Sequence, residues 1–151
     1  MLISQYIGAG DMSNVQRTAQ TIYTAMILGS IPISVIGILL SKPILLLINT
    51  PPDALPMANT YMRIIFLGMV GSFGYNVNAG ILQGFGDSKS SLLFLAIATV
   101  INIVLDLTFV LVFHWDVAGV AIATIIAQAF SWIFGIFYMK KKYEVLNFPI
   151  F

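Results

Sequence analysis

The sequence predicts an all-α integral membrane protein, a bundle of four antiparallel transmembrane helices. Of its 151 residues, 59% are hydrophobic and only 9% are charged, whereas a soluble domain carries about 25% charged residues. Nearly all of the charges lie between four long apolar runs. About 20 apolar residues in a helix cross the hydrocarbon core of a bilayer, so each run is long enough to span it alone. The predicted helices cover residues 18–41, 64–86, 89–113 and 117–139.

Helices are expected in all four runs because lipid forces the backbone to satisfy its own hydrogen bonds, and the alternation of a β-barrel is absent. Pro43 is expected to end the first helix, because proline cannot donate a backbone hydrogen bond. Asp87 or Ser88 is placed to cap the third helix. Turns are predicted at 42–56, 84–88 and 114–116. Such links make neighbouring helices antiparallel.

Lysine and arginine are shared unevenly between the two ends of this bundle. One end carries five of them and the other only two, Lys42 and Arg63. The richer end of a membrane protein faces the cytoplasm. We therefore expect a multi-pass protein of the cell membrane, with both ends of this segment cytoplasmic. The five residues are Arg17, Lys89, Lys140, Lys141 and Lys142.

The two termini suggest a piece of a larger protein. Met1–Gly10 is apolar and too short to span, and it resembles the tail of a preceding helix. Tyr143–Phe151 forms a mixed apolar tail. We therefore expect partners in the lipid bilayer and in the remaining helices of a parent protein.

The composition argues against several classes of function. The chain has no cysteine and a single histidine, which excludes disulfides, thiolate metal sites and histidine metal pairs. A net charge of +1 gives no reason to expect a nucleic-acid partner. No carboxylate dyad or activated nucleophile is visible, so neither an enzyme nor an organic cofactor is expected.

Asp106 is the one charge in the apolar run 90–113, which forms nearly all of the third predicted span. A carboxylate at the centre of a membrane helix costs about 2.5 to 3.5 kcal/mol on insertion scales, so it needs a proton, a cation or a polar partner. Asn102 lies one turn earlier on the same helix face, and Thr99 shares that face. This stripe is expected to face protein or water.

The fourth helix has a polar stripe of its own that includes Thr124. Asp106 lies eight residues before His114 and Thr124 eight residues after Asp116, which predicts a similar depth for the two side chains. Carboxylate, amide and hydroxyl oxygens suit a hard cation such as Na⁺, whereas a lone carboxylate suits a proton. The alternative is that these residues only join helices by buried hydrogen bonds.

Three more polar residues interrupt the second helix: Asn76, Asn78 and Gln83. Asn76 and Gln83 share a face, because seven residues make about two helical turns. Two interpretations stay open, a polar cavity for a small organic substrate and hydrogen bonds between helices.

Small residues recur at every fourth position of the last helix, which predicts close helix packing there. They are Gly119, Ala123, Ala127, Ser131 and Gly135.

Three segments give the chain a family resemblance. Residues 82–89 (LQGFGDSK), 101–106 (INIVLD) and 117–124 (VAGVAIAT), in this order and within this hydrophobic frame, resemble the multidrug and toxic compound extrusion (MATE) transporters. The resemblance covers nearly the whole chain. It implies a segment of a transporter with twelve helices in two lobes, matching helices three to six of the N-terminal lobe.

The resemblance also implies a function and a site. Members of the family export drugs or other organic molecules in exchange for sodium or protons. Their cation site in the first lobe uses an asparagine and an aspartate on the fifth helix and a threonine on the sixth, which correspond to Asn102, Asp106 and Thr124. An aspartate on the first helix of the family has no counterpart here.

Two alternatives to a cation-coupled exporter remain at this point. A flippase for lipid-linked saccharides would share the bundle, but it would need a basic cavity, and the predicted spans contain no lysine or arginine apart from Lys89 at the start of the third. A non-transporting four-helix assembly subunit would form a complete unit by itself.

Overall fold

The computed structural model describes residues 2–146, and within this range it is helical with no strand. Met1 of the predicted N-terminal tail and 147–151 of the C-terminal tail lie outside the described residues. The all-helical prediction is confirmed. The helices are α1 (Leu2–Gly8), α2 (Met12–Leu47), α3 (Leu55–Leu67), α4 (Met69–Gly84), α5 (Ser88–Leu107) and α6 (Asp116–Lys142), with a π-helical turn at Thr108–Val112 and a 3₁₀ turn at Glu144–Leu146.

Helix α2 is longer at both ends than predicted. Asp11 caps its start, since the carboxylate accepts a hydrogen bond of 3.1 Å from the backbone nitrogen of Asn14. The prediction that Pro43 ends the helix is wrong, because α2 continues to Leu47. Prolines are tolerated inside transmembrane helices where neighbouring groups satisfy the freed backbone. Lys42 therefore lies inside a helix and is exposed rather than lying at its end.

The second predicted span is broken into α3 and α4, which meet at Gly68 with a bend of 52°. Two contacts with other helices lie at the break. A Cβ atom at Gly68 would collide with the side chain of Ile125, and the Ser34 hydroxyl donates a hydrogen bond to the carbonyl of Phe66 at the break. α3 begins earlier than predicted, so Arg63 lies exposed within it and not at a helix end.

Within residues 2–146, three helices are long and apolar enough to cross a membrane, and the bent pair α3 and α4 supplies a fourth if it counts as one span. α6 packs against α3, α4 and α5, and all five of its predicted small residues are buried. Large apolar side chains such as Leu39, Leu92 and Phe137 point outward. In a soluble protein such side chains would be buried. On a surface that faces lipid they are stable, because bilayer tails solvate apolar groups as well as a protein core does.

The links between α4, α5 and α6 are short, as predicted. Asp87 caps α5 by accepting a hydrogen bond of 3.2 Å from the backbone nitrogen of Ser90, which confirms one of the two predicted caps. At the other end of α5 the π-helical turn leads into a tight turn. There His114 and Asp116 have positive φ angles of 54° and 42°.

Candidate functional site

A partly open cavity of about 130 Å³, lined by both apolar and polar side chains, lies between α4, α5 and α6. It brings Thr99 and Asn102 of α5 against Thr124 of α6, whereas Asp106 is not among its lining residues. The lining residues are Tyr75, Leu95, Ala98, Thr99, Asn102, Thr124, Ala127 and Gln128.

Asn102 and Thr124 are joined across this cavity. The Asn102 Nδ2 donates to the Thr124 Oγ1 at 3.4 Å, and the Thr124 hydroxyl donates in turn to the carbonyl of Val120 at 3.0 Å. These bonds leave the Asn102 Oδ1 without a bond among the described residues. Asn102 and Thr124 can therefore both offer an oxygen atom to a ligand while the hydrogen bond between them is kept.

Asp106 lies one helical turn beyond Asn102 and is half-buried. Its Oδ1 is buried and has no hydrogen-bond partner among the described residues, and no basic residue of that part of the chain is paired with it. Leaving a buried polar atom unpaired costs about 1 to 3 kcal/mol, and more for a charged one. The predicted meeting of Asp106 with Thr124 is not seen as a hydrogen bond, because Thr124 bonds to Asn102.

The polar atoms of this region suit a hard cation or a proton. Carboxylate, amide carbonyl and hydroxyl oxygens are the ligands that hard cations take, and a carboxylate lacking a partner can be neutralised by a proton. The residues that the structure describes contain no group of three or more His, Cys, Asp or Glu side chains, so a multi-carboxylate or histidine metal centre is not formed within them.

Two lining residues were not singled out as site residues from the sequence. The side-chain oxygen of Gln128 accepts a hydrogen bond from the Ser72 hydroxyl on α4, which orients the amide at the cavity wall. Tyr75 closes the α4 side. Gln128 lies one helical turn after Thr124, and this spacing could have predicted that it lines the same cavity. No feature of the sequence predicts this for Tyr75.

The three polar residues of the second span have different surroundings. Asn78 is 2% exposed, accepts a hydrogen bond from the Tyr23 hydroxyl and donates one of 2.8 Å to the carbonyl of Trp132. It therefore joins α2, α4 and α6. Asn76 is exposed and lines a wide groove between α2 and α4, and Gln83 is exposed and donates to Ser91 at 3.4 Å. For these two the substrate-cavity prediction stays a prediction.

A second polar cluster joins the start of α5 to the end of α6. The Asp87 Oδ2 accepts hydrogen bonds from the Lys142 Nζ at 2.6 Å and from the Tyr143 hydroxyl at 3.0 Å. Lys142 also donates to the Tyr138 hydroxyl, which contacts the Ser90 hydroxyl at 2.7 Å. The Lys142 ammonium is the main cause that holds the pKa of the Asp87 carboxyl well below its usual range.

A bundle of membrane helices with polar side chains in a cavity and an unpaired carboxylate nearby is typical of membrane transport proteins. The family model MatE matches residues 1–108 of this chain. The chain therefore belongs to the MATE family, which consists of transporters and not enzymes, and the resemblance drawn from the sequence is confirmed.

Named relatives agree with this assignment. The chain is 36% identical over 149 residues to the probable multidrug resistance protein YpnP of Bacillus subtilis, covering 99% of this chain and 33% of the relative. It is 28% identical over 149 residues to the multidrug export protein MepA of Staphylococcus haemolyticus, covering 98% and 33%. The chain thus spans about one third of the length of the curated relatives it matches.

Solved structures share the fold. One is an inward-facing multidrug resistance MATE family transporter of the MOP superfamily, with a TM-score of 0.87 and 24% identity over 91% of this chain and 31% of that one. Another is a MOP superfamily transporter from Pyrococcus furiosus whose reversed binding-pocket polarity was taken to suggest a different function. Its TM-score is also 0.87 at 24% identity, covering 91% of this chain and 30% of that one.

Proposed function

We propose that the protein is a cation-coupled antiporter that exports drugs or other organic molecules, and that Asn102, Asp106 and Thr124 belong to its coupling site. The observation that carries the proposal is the buried Asp106 Oδ1, which lacks a partner one turn from the Asn102–Thr124 pair. The names of the relatives, multidrug resistance and multidrug export proteins, support the cargo class.

In the proposed mechanism Na⁺ or H⁺ neutralises Asp106. A bound cation or proton removes the cost of the unpaired charge, and the Asn102 and Thr124 oxygens complete the shell of a metal ion. Neutral Asp106 tolerates tighter packing of α5 against neighbouring helices than charged Asp106 does. Because the cation has different affinities for the two packings, its binding favours one access state over the other.

The proposal includes the setting of the segment. The chain contributes part of the N-terminal lobe of a two-lobe transporter in the cell membrane, with the end that carries Asp87 and Lys142 in the cytoplasm. The charge count supports this orientation, because Arg17, Lys89 and the cluster 140–142 lie at that end. Its partners are the remaining helices of the transporter, the lipid bilayer and a small organic substrate.

Replacing Asp106 tests the coupling role. In the full-length protein Asp106→Asn is expected to abolish export driven by an ion gradient while its membrane level stays at that of the wild type. Asp53→Asn is the control, because Asp53 is an exposed loop carboxylate. Export is measured in proteoliposomes with an imposed Na⁺ gradient or an imposed pH gradient, which separates the two ions. Undiminished gradient-driven export by Asp106→Asn would remove Asp106 from the mechanism.

A further inference from the structure

The outward face of α6 carries a row of aromatic side chains that ends at a lysine. Phe130, Phe134 and Phe137 are 50%, 47% and 69% exposed. Lys141 is exposed too and follows Phe134 by seven residues. Because seven residues make about two helical turns, these four side chains share one face of the helix. We call this set the aromatic row.

The aromatic row differs from the face through which α6 contacts other helices. The buried residues in the same part of α6 include Ser131 and Gly135, and small residues are what let membrane helices approach closely. The row instead presents bulky rings. The ring of Phe134 lies 5.9 Å from that of Phe94 on α5 and stacks on that of Phe130 at 6.2 Å, measured between centroids. The row is therefore a supported apolar surface that suits lipid tails better than a closely packed helix.

The length of the aromatic row matches one leaflet of a bilayer. Phe130 and Lys141 are 11 residues apart, which is about 16 Å along an α-helix. Half of the hydrocarbon core is about 15 Å thick. A lipid whose headgroup lies at the level of Lys141 therefore has its tail beside the row as far as the middle of the bilayer.

The lysine at the end of the aromatic row can bind an anion. Lys142 is paired with Asp87 at 2.6 Å, whereas Lys140 and Lys141 form no ion pair within residues 2–146. Glu144 is the other carboxylate close to the end of α6; it is exposed and pairs with neither of them. The long stem of a lysine lets its ammonium group reach the headgroup level.

The start of α5 adds positive charge at the same place. The ion pair of Asp87 with Lys142 holds the first turn of α5 beside the end of α6. Lys89 in that turn is exposed and has no ion pair among the described residues. The dipoles of the two helix ends amount to about half a charge each, of opposite sign, so they offset one another. This end of the bundle is therefore positive on balance.

We propose that the aromatic row is a binding site for an anionic phospholipid. Lys141 binds the phosphate, Lys89 and Lys140 add to the attraction, and one acyl chain packs along Phe134 and Phe137. A zwitterionic lipid binds more weakly, because its own ammonium group is repelled by the lysines. The site shares no residue with the proposed coupling site, so it does not depend on the role of Asp106.

A tryptophan in the row reports which lipid lies beside it. Phe137→Trp keeps a bulky ring there, and brominated acyl chains quench the added fluorescence only on contact. The full-length protein is reconstituted in phosphatidylcholine that contains brominated phosphatidylglycerol, and separately with the bromine on the phosphatidylcholine. We expect phosphatidylglycerol to be preferred by at least about fivefold, since each basic residue near the headgroups contributes about that factor.

Two charge-matched variants locate the preference. In the Phe137→Trp background, Lys141→Gln is expected to lower the preference for phosphatidylglycerol by about fivefold. Lys42→Gln removes the same charge from an exposed lysine at the opposite end of the bundle and is expected to leave the preference unchanged. Soluble glycerol 3-phosphate is expected not to compete, because it lacks the acyl chain that packs on the row.

Several results would overturn the proposal. Absence of quenching would mean that another helix or a second copy covers the row. Equal preference for the two lipids, wild-type preference in Lys141→Gln, or an equal loss in Lys42→Gln would contradict a site at Lys141. Competition by glycerol 3-phosphate would indicate a site for free phosphate instead. If Lys141→Gln does not fold, the salt dependence decides, because a preference that high salt does not weaken contradicts binding by exposed lysines.

Discussion

Helix α5 carries a carboxylate near each end, and the two have opposite surroundings. Asp87 at its start accepts hydrogen bonds from the Ser90 amide, the Lys142 ammonium and the Tyr143 hydroxyl. Asp106 near its other end has a buried oxygen with no partner among the described residues. The same residue type is thus fully satisfied in one place and left incomplete in the other.

The difference predicts different roles for the two carboxylates. A carboxylate whose acceptor sites are filled fixes its neighbours, and Asp87 ties the turn before α5 to the end of α6. An incomplete buried carboxylate destabilises the fold until something binds it. Stability measurements on the two residues should therefore show effects of opposite sign.

The largest effect is expected for Asp87→Ala. This change removes a helix cap and the contacts to Lys142 and Tyr143, and it should lower the free energy of unfolding by about 1 to 3 kcal/mol. Asp11→Ala is the matched control, because Asp11 caps α2 through Asn14 alone. Unfolding in detergent micelles compares the two variants. If both lose the same free energy, the contacts with α6 contribute nothing and the structural role of Asp87 is limited to capping.

A smaller effect of opposite sign is expected for Asp106→Asn. Removing the charge relieves the unpaired oxygen, so the free energy of unfolding in the absence of the coupling ion should stay unchanged or rise by up to about 1 kcal/mol. The same detergent assay measures it. A loss of more than about 1 kcal/mol would mean that the charged form makes a stabilising contact, and the contrast with Asp87 would disappear.

Much of the fold could be predicted from the sequence, because the features that define membrane spans and helix caps lie within short stretches of the chain. Long uncharged runs defined the spans, and the Asp87 cap was visible from its position before an apolar run. Ile125 and Ser34 of other helices contact the bend at Gly68, and such contacts between helices are not visible in the sequence. α2 also continues through Pro43, because membrane helices tolerate proline in their interior, where the local rule predicts an end.

The sequence predicted which candidate site residues share a face of one helix, but it did not predict which residues of α5 and α6 are paired. Helical periodicity placed Asn102 and Asp106 on one face. Counting residues from the turn then matched Asp106 with Thr124, whereas the structure joins Asn102 to Thr124. A π-helical turn at Thr108–Val112 lies between Asp106 and the link to α6, so a count that assumes regular α-helix does not hold there.

The smallest effect is expected at the other partner of Asp87. Lys142→Met removes the ion pair but keeps the apolar part of the side chain, and it should lower the free energy of unfolding by less than Asp87→Ala does, since exposed ion pairs contribute little. Lys141→Met is the control, because Lys141 is exposed and forms no ion pair within residues 2–146. The ion pair also predicts a salt dependence, since screening weakens exposed charges. The difference between the two variants should therefore shrink as the salt concentration rises. If the difference in the free energy of unfolding between the two variants does not depend on salt, the ion pair with Asp87 is not its cause. The contribution of Lys142 then comes from its contacts with Tyr138 and Tyr143.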